Sequence, residues 1–357
     1  MMSTATKCFI LINRYADKGV ITLNRPKALN AINFDMATKL ESGLRSWDSD
    51  SQIKMVVMKS ASEKAFCAGG DVKQVFEQSP EEGKKFFRKE YTVNNLIGSL
   101  SVPFVALIDG IIMGGGCGLS VHGNFRVATE KALFAMPEVA IGLFPDVGAS
   151  HFLNKLPGSL GLYFGLTGHR LQGRDLFKAG IATHFIPSDK LKSLEDDLLR
   201  LEKPDLLKID RILQKHQEQW QDEYRKEFSL KPHIGRINSI FGQAGKVEDI
   251  ISGLEKDNSE WARKHLELLA KMSPTSLKLT FEQLRRAKTM TLPECLKMEY
   301  RMVCRVLERK EFFEGVRAAL IDRDDKPKWN PPKLDEVREA DINAYFEPLP
   351  YNLELQL

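Results

Sequence analysis

Cysteine is scarce and scattered: Cys8, Cys67, Cys117, Cys295 and Cys304 are the only five in 357 residues, an odd number, and no Asn-x-Ser/Thr acceptor occurs. That usage excludes a disulfide-built secreted domain and points to a reducing compartment. Neither these cysteines nor the 7 histidines stand at metal-ligand spacing, and there is no Gly-x-Ser-x-Gly elbow, so no metal site and no serine nucleophile is expected. Excess charge is lacking too. The 52 basic and 48 acidic side chains leave +4 without a basic block, which gives no reason to expect nucleic acid or an anionic membrane, yet allows a small polyanion. The most apolar stretch, Val102 to Val121, is broken by Asp109 and five glycines, so a buried strand with a Gly-rich turn is expected in place of a membrane span. Strand-like sequence begins by Cys8, leaving no room for a leader in this numbering.

What is present is a globular composition, 43% hydrophobic and 28% charged, long enough for two domains or one large domain with an appendage. Phe9 to Leu23 reads as a hairpin, Asp35 to Asp48 as a helix and Lys54 to Lys59 as a buried strand. The order repeats: Pro80 to Leu100 is helical, Pro103 to Ile108 is a strand, and Cys117 to His122 opens a further helix. Short strands follow at Arg126 to Thr129, Ala132 to Ala135 and Ala182 to Ile186, with a helix from Arg174 to its capping Gly180. This alternation predicts an α/β fold with a largely parallel sheet. Beyond about residue 190 the chain turns to charged amphipathic helices, Leu191 to Leu201, Ile209 to Tyr224, Ile237 to Phe241, Val247 to Lys271, Ser276 to Ala287 and Leu292 to Arg309, on which runs such as Glu195-Asp196-Asp197 read as solvated faces. The proline-bearing tail from Trp329 reads as extended and laid on the surface.

Two glycine clusters fall between a strand and a helix, Phe66 to Asp71 (Phe-Cys-Ala-Gly-Gly-Asp) and Gly110 to Gly116. Backbone N–H groups at such positions suit negative charge, and the two clusters together can bracket one oxyanion. Neither has dinucleotide or P-loop spacing, and each can equally serve only tight turns or close packing. Two carboxylates eight residues apart, Glu138 and Asp146, stand in an apolar Gly/Pro-punctuated segment, Met136 to Gly148. An apolar surround and a second carboxylate both raise a carboxyl pKa, as general acids and bases require; an ordinary first-turn acid and a turn residue fit the same pattern. Cys67 and Cys117 beside the glycines read as packing.

The motif order resembles the crotonase (enoyl-CoA hydratase/isomerase) superfamily. Its N-terminal segment stands here as Asn24-Arg25-Pro26-Lys27-Ala28-Leu29-Asn30-Ala31, its two oxyanion segments as Phe66 to Asp71 and as Met113 to Gly118. The resemblance implies a spiral of repeated ββα units with a helical C-terminal region: residues 1–190 as the CoA-thioester-binding core, 191–330 as a helical region completing the active site and the assembly surface, and 331–357 as an extended tail. It implies that Gly70 and Gly115 donate N–H groups to the thioester oxygen, with Ala68 and Asp71 near the adenine and Lys27 near the CoA phosphates. Where hydratases carry a catalytic Glu this chain has Gly118, while Glu138 is kept and Asp146 stands where hydratases have glycine.

That pair, with Phe87 to Tyr91, Phe313 to Ala318 and Pro327 to Trp329, resembles the superfamily's hydrolases of hydroxyacyl-CoA. The resemblance implies hydrolysis of 3-hydroxyisobutyryl-CoA, and of 3-hydroxypropionyl-CoA, to the hydroxy acid and CoA in valine catabolism. Glu138 would activate water or attack the carbonyl itself, Asp146 would manage the proton, and Glu90 would hold the substrate hydroxyl. No cofactor is expected beyond the CoA of the substrate, the location is expected to be mitochondrial, and a homo-oligomer is compatible. Hydration or isomerisation by one acid, and a silent CoA-binding scaffold, remain the alternatives.

Overall fold

The computed structural model describes residues 8–218, 220, 222 and 225–357. The expected hairpin forms from Ile10–Tyr15 (β1) and Lys18–Leu23 (β2), antiparallel with Ile12 opposite Ile21. Asn33 accepts the Met36 N–H at 2.9 Å and so starts Phe34–Asp48 (α1), whose apolar face buries Met36, Leu40, Leu44 and Trp47. From there successive strands enter two sheets in turn. Met55–Ser60 (β3), Phe104–Ile108 (β5), Phe125–Ala128 (β7) and His184–Phe185 (β10) join the larger, ordered β1-β2-β3-β5-β7-β10. Ala65–Cys67 (β4), Ile111–Met113 (β6), Leu133–Ala135 (β8) and Leu171–Gln172 (β9) form the smaller, ordered β4-β6-β8-β9. Beyond the hairpin the larger sheet is parallel, and β5 is buried along its whole length, which is why it reads as an unbroken apolar run.

Helices close each repeat: Val72–Glu77 (α2) and Pro80–Ser99 (α3) after β3 and β4, and Gly115–Gly118 (α4) after β5 and β6. The second glycine cluster therefore does not run directly from strand to helix, since β6 lies inside it. Nor does Cys117 open a helix of ordinary length, because a glycine-rich turn loses too much backbone entropy to propagate. Ala149–Phe152 (α5) and Leu160–Thr167 (α6) follow, then Arg174–Lys178 (α7), with Gly180 beyond it at φ +84°.

By packing, the chain divides into two compact units. The first comprises Met1–Gly70, Leu96–Phe134 and Gln172–Lys226; the second comprises Asp71–Asn95, Ala135–Leu171 and Glu227–Leu357. Both are discontinuous and cut across the segments 1–190, 191–330 and 331–357. In the first unit Leu191–Arg200 (α8) and Leu206–Glu218 (α9) lay Leu194, Leu198, Ile209 and Leu213 on Val20, Val57, Val105, Leu107 and Val127 of the larger sheet. Each such leucine contributes about 1.5–3 kcal/mol by burial. Glu195 is not part of a solvated face: it is 8% exposed and bonds Lys59 Nζ at 2.5 Å. The end of the segment expected to reach Tyr224 falls on Gln219, Gln221, Glu223 and Tyr224, outside the described residues.

The second unit contains Ile234–Ile240 (α10), Val247–Asp257 (α11), Glu260–Leu269 (α12), Pro274–Arg286 (α13), Leu292–Leu307 (α14), Glu311–Val316 (α15) and Glu339–Ala344 (α16). The run from Val247 to Lys271 is broken into two helices by Asn258 at φ +50° and by the Ser259 hydroxyl, which accepts the Ala262 N–H at 3.2 Å. The tail is not simply extended: α16 and its flank bury Ile342, Tyr345 and Phe346, a helical i, i+3, i+4 spacing hidden among prolines. Arg88 of α3 donates to the Leu353 and Glu354 carbonyls at 2.6 and 2.7 Å, and Leu355 is buried. No helix among the described residues is long and apolar enough to cross a membrane.

Candidate active site

In the first unit, buried Asn30 ties the Asn-Arg-Pro segment to β4. Its Oδ1 accepts the Arg25 N–H at 2.8 Å, and its Nδ2 donates to Ser60 Oγ at 2.7 Å and to the Phe66 carbonyl at 2.9 Å. Between them Pro26–Ala28 makes a single 3-10 turn with Lys27 exposed, and the half-buried Ala68 donates its N–H to Leu29 O at 3.0 Å. Lys27 and Ala68 thus belong to one locale. Gly69, at φ +113°, needs its missing side chain: a Cβ there would meet Met113 O at 3.4 Å and Gly115 N at 3.8 Å. This approach brings the Gly70 and Gly115 peptides into one corner. Gly115 is the first residue of α4, so its N–H has no intrahelical partner. Close packing accounts for Gly116 instead, whose Cβ would sit 2.2 Å from Cys67 O. Cys67 and Cys117 are buried thiols outside any disulfide, whose Sγ atoms lie against the Asn30 and Ile112 carbonyls.

In the second unit three carboxylates come from α3 and from the Met136 to Gly148 segment. Glu90, Glu138 and Asp146 are 2%, 5% and 4% exposed. Burial raises the Glu90 carboxyl far above its ordinary range, and the charges of Asp146 and Glu138 raise it further. Glu138, opening a 3-10 turn after Pro137, is likewise held high by burial and then by Asp146. Glu138 does stand in a first turn, and there burial outweighs what the dipole of so short a turn can offer a carboxylate. Burial carries Asp146 up to about 7, against the Tyr91 hydroxyl, which donates to its Oδ2 at 2.8 Å and pulls the other way. Glu90 Oε1 and Glu138 Oε2 have no protein partner among the described residues. Such a cluster holds protons near neutral pH and can trade them.

Asp71, expected near the adenine, also serves its own helix. It lies in the second unit, and its carboxylate accepts the Gln74 N–H at 3.2 Å as the N-cap of α2.

Two residues of the second unit were missed by the sequence reading, Tyr91 and Glu299. Glu299 is fully buried: Oε2 accepts the Gly148 N–H at 2.7 Å, while Oε1 accepts the Ser150 N–H at 3.0 Å and the Ser150 hydroxyl at 2.5 Å. Burial pushes it up to about 8 against these donors. Beside them Gln283 Nε2 donates to Pro145 O at 2.6 Å. The loop so held contains Val147 at φ +56°, a β-branched residue in the left-handed region, which costs about 1–3 kcal/mol and persists only where its surroundings impose it. The signal for Glu299 lay in α14, where a charge interrupts the buried stripe of Cys295, Leu296, Met302 and Val303.

An enoyl-CoA hydratase/isomerase family model matches residues 18–346. The 3-hydroxyisobutyryl-CoA hydrolase, mitochondrial, of Danio rerio is 49% identical over 98% of this chain and 92% of its own. The protein of that name from Homo sapiens is 49% identical over 95% and 89%. Among solved structures, a carnitinyl-CoA dehydratase from Mycobacterium thermoresistibile superposes with a TM-score of 0.88 at 36% identity, covering 98% of each chain. An enoyl-CoA hydratase from Rhodobacter sphaeroides gives 0.87 at 33% identity over 98% of this chain and 100% of its own. With Glu138 and Asp146 buried as a pair and the glycine corner formed, the chain belongs to the enoyl-CoA hydratase/isomerase family and, within it, to the 3-hydroxyisobutyryl-CoA hydrolases.

Proposed function

We infer that the chain hydrolyses 3-hydroxyisobutyryl-CoA to 3-hydroxyisobutyrate and CoA, the activity for which its curated relatives are named. The observation that carries this reading is the buried Glu90, Glu138 and Asp146 cluster, combined with Gly118 where hydratases have a second catalytic acid. Hydration distributes its acid and base work over a different pair; hydrolysis needs one group to deliver an oxygen nucleophile and another to receive its proton.

Glu138 is the primary group. Its free Oε2 is available to the thioester carbonyl or to a water. Asp146, at about 7, is poised to take a proton at neutral pH and return it to the departing thiolate. The peptide N–H groups of Gly70 and Gly115 stabilise the oxyanion, and one such donor is worth about 3–4 kcal/mol. Glu90, held protonated by burial, offers a hydrogen bond to the substrate hydroxyl. Lys27 and Ala68 receive the phosphates and adenine of CoA, with Asp71 at the adenine as well. CoA enters as part of the substrate, and the reaction requires no further cofactor. 3-Hydroxypropionyl-CoA, one methyl smaller, is a second substrate, and the cellular location is mitochondrial, as the relatives' names support.

In the covalent route a Glu138 oxygen bonds to the carbonyl carbon, the carbon–sulfur bond breaks, and water then cleaves the anhydride. In the other route Glu138 only removes a proton from water. Single turnover in oxygen-18 water tests the covalent route: label in the Glu138 carboxylate eliminates simple water activation.

A further inference from the structure

Asp146 needs a fixed direction to exchange protons, yet it stands in a short loop with unfavourable backbone geometry at Val147 (φ +56°). Tyr91 holds its side chain from α3. The loop itself is gripped from the other end by Glu299 of α14, which takes the N–H groups of the second and fourth residues after Asp146 and the hydroxyl of the latter. A carboxylate is an unusual choice for this task. A neutral side chain would satisfy such donors without placing a second buried acid near Asp146, yet a carboxyl has two oxygens with which to reach both peptides.

We propose that Glu299 is a positioning residue of the hydrolase reaction, which clamps the Asp146 to Ser150 loop through Gly148 and Ser150 and so fixes the direction in which the Asp146 carboxyl faces the reacting group. This rests on the hydrolase reading above. Asp146 is faced by Glu90 and Tyr91 from α3, by Glu138 from its own segment and by Glu299 from α14. Glu299 is faced by Asp146, Tyr91 and Cys295, and by the neutral Ser150 and Gln283. Tyr91 and Cys295 are neutral near pH 7, so the charges that bear on Asp146 are carboxylates. Glu299, at about 8, still holds its proton while Asp146, at about 7, titrates, so Glu299→Gln leaves the acidic limb of the rate profile in place.

The test measures kcat, KM and the pH profile of thiol release from 3-hydroxyisobutyryl-CoA for wild type, Glu299→Gln and Ser150→Ala, with circular dichroism as the folding control. The proposal expects kcat of Glu299→Gln to fall about 10–100-fold, with KM staying within about 2-fold and the acidic limb in place. Ser150→Ala, which leaves both N–H contacts and the Glu299 carboxyl in place, should lose less kcat and keep the limb. A folded Glu299→Gln with wild-type kcat overturns the proposal, as does one whose KM changes in step with the loss of kcat. If Glu299→Gln does not fold, Ser150→Ala decides: a several-fold loss of kcat at unchanged KM supports the clamp, and wild-type kinetics overturn it. Wild type without thiol release sinks the hydrolase reading itself, an outcome separate from any of these.

Discussion

The Tyr91 hydroxyl donates to Asp146 Oδ2 across 2.8 Å with both side chains buried, so the acid expected to move a proton is held by a neutral donor. A hydrogen bond to the charged form lowers a carboxyl pKa. In Tyr91→Phe, Asp146 therefore titrates above its present value of about 7. A bond to a charged group contributes about 1.5–3 kcal/mol, or roughly one to two pH units, so the acidic limb of kcat/KM should rise by about one unit. A pH profile of thiol release checks this; an unmoved limb contradicts the role given to the Tyr91 bond.

The buried acids also predict how stability varies with pH. Asp146 at about 7 and Glu299 at about 8 lie above the unfolded values of about 4. An acid with a raised folded pKa keeps its proton in the native state while the unfolded chain has lost it. Stability from these groups is therefore full below about pH 4 and is lost as pH rises towards 7 and 8. Asp146→Asn should melt about 2–5 °C above wild type at pH 8, with the difference vanishing near pH 4. Calorimetry at the two pH values reads it, and a variant that melts lower at pH 8 contradicts the direction.

The hydroxyl-binding role proposed for Glu90 predicts a substrate choice. A site that pairs a buried polar group with a substrate hydroxyl rejects the analogue lacking it, because the group is left unpaired. Isobutyryl-CoA should be hydrolysed with kcat/KM at least about 100-fold below that of its 3-hydroxy form. In Glu90→Leu the two substrates should converge. Equal wild-type rates on both would remove the hydroxyl-reading role.

Arg88 makes a prediction for the tail. It donates to two carbonyls, of Leu353 and Glu354, and lies 4.6 Å over the Tyr300 ring. Arg88→Ala should lose about 2 kcal/mol of stability. Limited proteolysis should then cut the chain near Leu353 earlier than in wild type; unchanged cutting contradicts the anchoring.

Much of this was legible in the residues. The hairpin, α1, the parallel strands and the helical second half followed from periodicity and caps, because those elements bury one continuous face each. The glycine corner and the carboxylate pair were legible as motifs, but the residues alone left packing and first-turn readings open. Burial and the atoms that approach Gly69 bear on those alternatives, and they are properties of chain segments far apart in sequence. Tyr91 and Glu299 were not found, since each acts on a loop more than 50 residues away. Glu299 nevertheless broke the apolar stripe of its helix, a visible departure from pattern. The tail was misread because its prolines outweighed the helical spacing of Ile342, Tyr345 and Phe346.

The central claim is that Glu138 and Asp146 make this chain a thioester hydrolase. Free thiol released from 3-hydroxyisobutyryl-CoA, followed for wild type, Glu138→Gln and Asp146→Asn with crotonyl-CoA hydration run in parallel, tests it most directly. The account predicts turnover by wild type, a loss of about 100- to 10,000-fold in each variant and negligible hydration. Robust crotonyl-CoA hydration, or thiol release that survives both substitutions, would contradict it.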